Sequence, residues 1–212
     1  DKIIKGHKFI KGDMKQIAAD LIPLLETNQR QELHSTIAYY KKQFQQRTFC
    51  NNNNEFTPKN IIDTINKYSP DDAIIATDVG QHQMWVAQHF TFKQPGNFLT
   101  SGGLGTMGFG LPTAMGAALA NKDKTVLCFT GDGSLQMNIQ ELATLAELDL
   151  NIKIILFDNN HLGLVRQQQQ LFYKGNYSAS KFQKNPDFTI IAKGCGIKGI
   201  SIDSMEALQK TI

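Results

Sequence analysis

Two short polar clusters contain the residue types that hold a metal ion against a diphosphate. Gly131-Asp132-Gly133-Ser134 follows the apolar run TVLCFT, and Asp158-Asn159-Asn160 follows the apolar run IKIILF. Mg²⁺ prefers oxygen ligands and usually takes one or two protein side chains together with phosphate oxygens and water. The carboxylate of Asp132, the carboxamide oxygen of Asn159 and a backbone carbonyl just beyond, that of His161, would supply such a set.

The elements that must position these clusters form a βαβ unit. Both apolar runs are short and rich in β-branched residues, which predicts two buried parallel strands, and the stretch LQMNIQELATLAELDL between them has helical periodicity. A right-handed crossover places the carboxyl ends of both strands at one edge of the sheet, whether or not the strands are neighbours. Because ligands of open α/β sheets bind at that edge, we expect the clusters to meet there.

The small residues of the first cluster have two interpretations. Gly131 and Gly133 would let the backbone turn sharply and approach phosphate, and Ser134 would begin a helix whose free N–H groups attract anions. Gly, Asp and Asn are also the usual residues of turns, so either cluster alone is more often a simple connection. Together at strand ends, with 25 residues between Gly133 and Asn159, they indicate a site far more specifically.

A second glycine pattern favours a different class of protein. The segment 103–108 matches G-x-G-x-x-G, and Asp132 follows it as a ribose-binding acid would in a dinucleotide fold. Against this, the preceding run NFLTS is a poor buried strand, the acid has flanking glycines that ribose does not require, and Asn159 is left unexplained. A non-catalytic dinucleotide-binding module, with affinity for NAD or ATP, therefore stays as the alternative.

Four longer segments resemble the catalytic large subunit of acetohydroxyacid synthase, also called acetolactate synthase, in the thiamine diphosphate enzyme family. They are DVGQHQMW (78–85), TSGGLGTMGFGLPTAMGAALAN (100–121), GDGSLQMNIQELAT (131–144) and NNHLGLVRQQQQLFY (159–173). The resemblance covers roughly residues 72–202 and is weaker towards both ends. It implies an α/β fold, a Rossmann-like parallel sheet flanked by helices that binds the cofactor's diphosphate, with an N-terminal helical tail of the preceding domain.

The resemblance assigns roles to individual positions. Asp132, Asn159 and the carbonyl of His161 fall on the Mg²⁺ ligands. The residues implied to contact the cofactor are Gly80, Gln81, His82, Gly105, Met107, Asp132, Gly133, Ser134, Asn159, His161, Leu162, Gly163 and Leu164. Gly105 falls on the carbonyl that accepts the cofactor's 4′-amino group, and Met107 on the side chain that bends the cofactor so that its own ring acts as the base. From sequence alone, Met107 is equally a packing residue, and His82 and His89 are equally surface histidines.

The implied activity is that of an acetolactate synthase. Pyruvate is decarboxylated and its hydroxyethyl group is joined to a second 2-keto acid, giving 2-acetolactate or 2-aceto-2-hydroxybutyrate in valine, leucine and isoleucine biosynthesis. A catabolic acetolactate synthase, or another carboligase or oxidase with this cofactor, is the alternative within the class. Gln168 falls where members that prefer 2-ketobutyrate carry Trp, which predicts little preference over pyruvate, although the run 167–170 also fits a polar helix face.

Part of the implied enzyme has no counterpart in this sequence. In the family, a glutamate from the amino-terminal domain of a second catalytic subunit protonates the cofactor's N1′, and no segment here resembles that domain. We therefore expect a C-terminal fragment that is inactive alone, with FAD, a second copy of the catalytic subunit and a small regulatory subunit as candidates for the full enzyme. The expected parts are residues 1–45 (remnant of the FAD-contacting middle domain), 46–57 (linker) and 58–212 (cofactor-binding domain, truncated at its end).

Composition and charge limit the remaining classes. The chain has 212 residues, 41% of them hydrophobic and 19% charged, with a net charge of +3. This is enough for one α/β core with an appendage, and the scattered charge predicts no nucleic-acid partner. The absence of long apolar runs and of a secretory signal predicts no membrane association. Three cysteines without metal spacing favour a reducing, cytoplasmic location, and Cys128 is expected in the core.

The other predicted elements follow from periodicity and turn residues. They are helices over 13–27, 30–45 and 58–68, a strand over 72–77, a glycine-rich helix ending at 121, an interrupted helix over 163–172, a helix over 188–193, a short strand over 199–202 and a final helix.

Overall fold

The computed structural model describes residues 6, 8–26, 28–48 and 55–212, with side chains omitted over 44–48. The chain divides into two compact units, Asp1–Asn51 and Asn52–Ile212. This division falls within the predicted linker 46–57, of which residues 49–54, with Cys50, lie outside the described residues.

The first unit is helical. Helix α1 spans Met14–Leu21 and is capped by the side chain of Asp13, which accepts a hydrogen bond from the N–H of Gln16 at 3.1 Å. A 3₁₀ turn over Ile22–Leu24 follows, and α2 spans Gln31–Thr48. Both predicted helices are present, but α1 is shorter than predicted because the proline in the 3₁₀ turn has no N–H to continue the helix.

The second unit contains one parallel sheet. Its strands are β1 (Ile74–Thr77), β2 (Phe98–Thr100), β3 (Val126–Gly131) and β4 (Ile152–Phe157), in the order β2-β1-β3-β4 with every pair parallel. The predicted α/β class is therefore confirmed. Because β3 and β4 pair directly, their carboxyl ends bring the two polar clusters side by side.

Helices cover both faces of this sheet. They are α3 (Pro58–Tyr68), α4 (Gln81–His89), α5 (Gly110–Ala120), α6 (Asp132–Gln136), α7 (Glu141–Glu147), α8 (Gly163–Phe172), α9 (Phe188–Gly194) and α10 (Met205–Thr211). Ile75, Leu127 and Phe129 pack with α3 and α4, while the alternate residues Val126 and Cys128 pack with α5. Cys128 is buried as predicted, and burial raises the pKa of its thiol. Among the described residues no helix is both long and apolar enough to cross a membrane.

The predicted single helix between β3 and β4 is wrong, since the structure has α6 and α7 separated by a turn. The side chain of Asn138, in that turn, donates a hydrogen bond to the carbonyl of Gly108 at 2.5 Å. This tertiary contact holds the backbone out of a continuous helix, although the apolar spacing runs on through the turn.

Three other predictions differ from the structure. Helix α8 is continuous rather than interrupted. Residues 199–202 form no strand, because a strand exists only through its ladder with a neighbour and no described strand pairs with the outer edge of β4. Strand β4 was predicted to be buried, but as an edge strand it is only partly buried. The run NFLTS contains the opposite edge strand β2, which is also only partly buried, as expected of a poor buried strand.

Candidate cofactor and metal site

A cavity of about 210 Å³ lies at the carboxyl ends of β1, β3 and β4. Every residue predicted to contact the cofactor lines it: Gly80, Gln81, His82, Gly105, Met107, Asp132, Gly133, Ser134, Asn159, His161, Leu162, Gly163 and Leu164. Trp85, Phe157 and Val165 add apolar surface. Gln168 does not line the cavity; it is exposed on α8, one helical turn beyond Leu164 and Val165.

The predicted metal ligands face this cavity from the ends of adjacent strands. Asp132, directly after β3, is only 2% exposed, and its Oδ1 accepts the N–H of Gly133 at 2.9 Å. The Oδ1 of Asn159 accepts the N–H of His161 at 3.0 Å. Each of these oxygens keeps a further lone pair for a cation. Within the described part of the chain, no group of three His, Cys, Asp or Glu residues could hold a metal, so a cation here would depend on one carboxylate, neutral oxygens and an external ligand, which suits Mg²⁺.

The electrostatics of Asp132 also suit a cation. Burial raises the pKa of its carboxyl group, and the negative charge of Asp158 raises it further. Hydrogen bonds from the side chain of Asn185 and from the backbones of Gly133 and Asn160 oppose that shift. A buried carboxylate beside another carboxylate is stabilised by a positive charge, so a bound cation would favour the ionised form.

The side chain of His161 closes the turn whose backbone carries the predicted third ligand. Its Nδ1 lies 2.7 Å from the carbonyl oxygen of Asn159, and its Nε2 lies 3.1 Å from Nη1 of Arg166. A carbonyl only accepts and a guanidinium only donates, so Nδ1 donates to the Asn159 carbonyl and Nε2 accepts from Arg166. Asn160, between Asn159 and His161 in the turn, has a left-handed φ of 58°, which asparagine tolerates better than most residues.

The glycines of the first cluster provide space and not a sharp turn. Gly131 is extended with φ of −114°, and Gly133 lies inside α6. A Cβ at Gly131 would lie 3.0 Å from Nδ1 of His82, and one at Gly133 would lie 2.7 Å from the side chain of Leu162. The prediction that Ser134 begins the helix is also wrong, because α6 begins at Asp132 and the Ser134 hydroxyl donates to the carbonyl of Val79 at 2.7 Å.

His82 is a buried histidine and not a surface one. It is 4% exposed, and its Nε2 is buried with no hydrogen-bond partner among the described residues. Burial lowers the pKa of its ring to about 4, against an opposing hydrogen bond with the backbone of Asp78. An orphaned polar atom in a native structure requires an explanation, and a bound group that extends to it would provide one. In the neutral ring the proton lies on the nitrogen that faces the Asp78 carbonyl, so Nε2 would accept a hydrogen bond from such a group. The fit to a diphosphate rests on the close-packed glycines, where a Cβ would clash with His82 or Leu162.

We expect the cofactor-free protein to lose stability through His82 as the pH falls from 6.5 towards 4. Over this range the unfolded ring binds a proton and the folded ring does not, so acid favours unfolding, by about 3 kcal/mol at most. His82→Gln should therefore show a smaller fall in melting temperature between pH 7 and pH 4, measured by scanning calorimetry. The difference in melting temperature between the two proteins at pH 8 corrects for the packing that the variant loses. An equal fall in melting temperature with pH in both proteins would contradict the prediction.

Asp78 is a buried residue of this region that received no role from the sequence. Its carboxylate, 1% exposed, accepts the N–H groups of Val79 at 2.7 Å, Gly108 at 2.9 Å and Gly110 at 3.0 Å. It thereby ties the glycine loop before α5 to the end of β1. The sequence contains a signal that could have identified Asp78, because an aspartate directly follows each of the strands β1, β3 and β4.

Asn185 was also missed, and no sequence signal points to it. It lies on the loop between α8 and α9, and its side-chain amide contacts Asp132 at 2.7 Å and Asp158 at 2.6 Å. A loop without periodicity, remote in sequence from both aspartates, gives no indication of such a contact.

The dinucleotide alternative does not fit the sheet order. Residues 103–108 do connect a strand to a helix, as that pattern requires. In a dinucleotide fold, however, the strand before the glycines lies next to the strand that carries the acid. Here β1 lies between β2 and β3, and Gly105 and Met107 line the same cavity as Asp132.

The fold and the cavity define an α/β domain with a glycine-lined polar cavity at the carboxyl edge of its parallel sheet. Residues 78–212 match the family described as "Thiamine pyrophosphate enzyme, C-terminal TPP binding domain". The chain belongs to this family of thiamine diphosphate-dependent enzymes.

Individual relatives confirm the predicted resemblance. The chain is 46% identical to acetolactate synthase isozyme 1 large subunit of Escherichia coli K12, over 100% of this chain and 38% of the relative. It is 49% identical to the large subunit of isozyme 2 of the same strain, over 72% of this chain and 28% of the relative. It is 42% identical to the acetolactate synthase large subunit of Lactococcus lactis, over 98% of this chain and 36% of the relative. The chain thus spans well under half the length of these relatives.

Proposed function

We propose that this chain is the part of an acetolactate synthase large subunit that holds thiamine diphosphate through Mg²⁺. The full-length protein would decarboxylate pyruvate and transfer the two-carbon unit to a second 2-keto acid, in branched-chain amino-acid biosynthesis in the cytoplasm. One observation carries the proposal: all residues expected to contact the cofactor line a single cavity in a domain of the thiamine diphosphate family.

The residues divide between the two ends of the cofactor. Asp132, Asn159 and the carbonyl of His161 would hold Mg²⁺. Gly80, Gly133 and Gly163 would give the diphosphate room to approach the backbone. Met107, from the loop before α5, would support the ring system. When bound, the cofactor supplies the electron sink that decarboxylation of a 2-keto acid requires.

The cavity is too small to enclose the whole cofactor. Pockets that enclose a drug-sized ligand measure roughly 300–1,000 Å³, whereas this one measures about 210 Å³. Leu104, beside the cavity-lining Gly105, is 94% exposed. We propose that a second catalytic subunit covers this side and brings the glutamate that the resemblance implies. FAD and a small regulatory subunit remain proposals from the resemblance alone.

Titration calorimetry of the full-length protein tests the proposal. Thiamine diphosphate should bind in the presence of Mg²⁺ and much more weakly after chelation, while NAD and ATP should not compete. Mg²⁺-independent binding, or displacement by NAD, would overturn the cofactor assignment. Cofactor binding without formation of acetolactate from pyruvate would retain the cofactor site and reject the reaction.

We expect Gln168 to give little preference between the two acceptors. It is polar and exposed one turn beyond the cavity residues Leu164 and Val165, so it offers no apolar surface to an extra methylene. Gln168→Trp should increase the preference for 2-ketobutyrate over pyruvate by about tenfold or more. Competition between the acceptors in the full-length enzyme measures this ratio, with Gln170→Trp, at another exposed position of α8, as the control. A preference of tens-fold in the unmodified enzyme would refute the prediction.

A further inference from the structure

Asn185 joins the ends of β3 and β4 through one side-chain amide. Its Nδ2 donates to Oδ2 of Asp132 at 2.7 Å and to Oδ1 of Asp158 at 2.6 Å. The orientation of the amide follows from chemistry, because ionised carboxylates only accept hydrogen bonds. Both protons of the amide are therefore used by the two aspartates that follow these adjacent strands.

The same orientation has a cost. The Oδ1 of Asn185 is buried and accepts no hydrogen bond from the described residues. A buried acceptor without a partner is unfavourable, and native proteins contain few of them. The carboxylates therefore determine how this amide lies, at the expense of its own oxygen.

The loop that carries Asn185 is held in place by other contacts. The N–H of Leu162 donates to the carbonyl of Ser180 at 2.8 Å, and the N–H of Phe182 donates to the carbonyl of Asn160 at 2.9 Å. The side chain of Gln169 also binds the Ser180 hydroxyl at 2.8 Å. These bonds anchor the loop at residues 180–182 and do not involve the Asn185 amide.

We propose that Asn185 is a positioning residue that sets the affinity of the cation site by holding Asp132 in place. Two carboxylates on adjacent strand ends repel each other, and an amide that donates to both offsets this repulsion. The hydrogen bond that it donates to Oδ2 of Asp132 also orients the carboxylate before the cation binds. This inference rests on the proposed function, and it concerns the binding of Mg²⁺ and not the reaction.

Loss of such a supporting partner weakens metal binding by about 10- to 100-fold in known sites. In the full-length protein, Asn185→Leu and Asn185→Ala should raise the Mg²⁺ concentration for half-maximal binding of thiamine diphosphate by at least about tenfold. Calorimetric titration measures this concentration, and a melting curve without cation and cofactor measures stability.

Asn97→Leu is the matched control. The Nδ2 of Asn97 also donates two hydrogen bonds, to the carbonyls of Asp72 at 2.8 Å and Ala73 at 3.2 Å, at the opposite end of the sheet. This substitution should lower the melting temperature but leave the half-saturating Mg²⁺ concentration within about twofold of the unmodified protein.

The outcomes separate the two proposals. The first outcome is that cofactor binding in the unmodified protein requires Mg²⁺, but both Asn185 variants change the half-saturating Mg²⁺ concentration no more than Asn97→Leu does. In that case the role of Asn185 is rejected and the proposed function stands. If Asn185→Leu does not fold, Asn185→Ala decides by the same criterion. If the unmodified protein binds the cofactor equally well without Mg²⁺, the proposed function itself fails.

Discussion

We expect Asp132→Ala to abolish the Mg²⁺-dependent binding of thiamine diphosphate by the full-length protein. Asp132 is the only charged member of the proposed ligand set, since Asn159 and the carbonyl of His161 are neutral. Removing the charged partner of a buried ion typically costs about 3 kcal/mol or more, which corresponds to affinity at least about a hundredfold weaker. Calorimetric titration at a fixed Mg²⁺ concentration measures the loss.

The stability of the cofactor-free protein separates this effect from unfolding. Because burial raises the pKa of the Asp132 carboxyl group, the folded protein holds that charge at a cost, and a neutral residue removes the cost. Truncation to Ala also leaves the Gly133 N–H and the Asn185 amide without their acceptor, so the melting curve of Asp132→Ala without ligands is measured to establish that the variant is folded at the temperature of the titration. Asp72→Ala, which removes an exposed carboxylate at the opposite end of the sheet, should leave cofactor binding unchanged. Unchanged binding in Asp132→Ala would reject the metal assignment.

The sequence predicted the fold best where local and tertiary preferences agree. Strand β4 has the predicted bounds because IKIILF is a β-branched, apolar run interrupted only by the exposed Lys153. Helix α3 also has its predicted bounds, since the side chain of Thr57 caps it and Pro58 occupies its first turn. The boundary between α6 and α7 could not be predicted, because it depends on a bond from Asn138 to a loop far away in the sequence.

The residues of the site also divide into those that the sequence could indicate and those that it could not. The residues that line the cavity were identifiable, because chemical type, position after a strand and the resemblance point to the same side chains. Asn185 was not, since its role exists only once its loop folds back against Asp132. For the glycines the sequence indicates small residues at a sharp turn, whereas the structure shows no such turn and gives instead the close approach of His82 to Gly131 that requires a small residue.

The second large effect is expected at Asp78, where Asp78→Asn should weaken both the fold and cofactor binding. An asparagine offers one acceptor oxygen and turns its own N–H groups towards donors, so at least one of the N–H groups of Val79, Gly108 and Gly110 loses its partner. Hydrogen bonds to charged groups contribute about 1.5–3 kcal/mol each, so we expect a loss of about 2–4 kcal/mol of stability. The backbone cannot move closer to compensate, because Gly110 already lies so near that a Cβ there would be 2.8 Å from the Asp78 backbone nitrogen.

Cofactor binding at saturating Mg²⁺ distinguishes this effect from that of Asp132→Ala. Asp78 fixes the loop that carries Gly105 and Met107, so Asp78→Asn should weaken thiamine diphosphate binding even when excess cation is present, whereas a defect confined to the cation site recovers as Mg²⁺ is raised. Thr77→Val is the control, because it removes one neutral hydrogen bond, to Thr100 at 2.8 Å, from the same strand end. It should lower the melting temperature slightly and leave the affinity unchanged. Normal affinity in a folded Asp78→Asn protein would show that the glycine loop holds its shape without this carboxylate, and that its conformation is set by α5 instead.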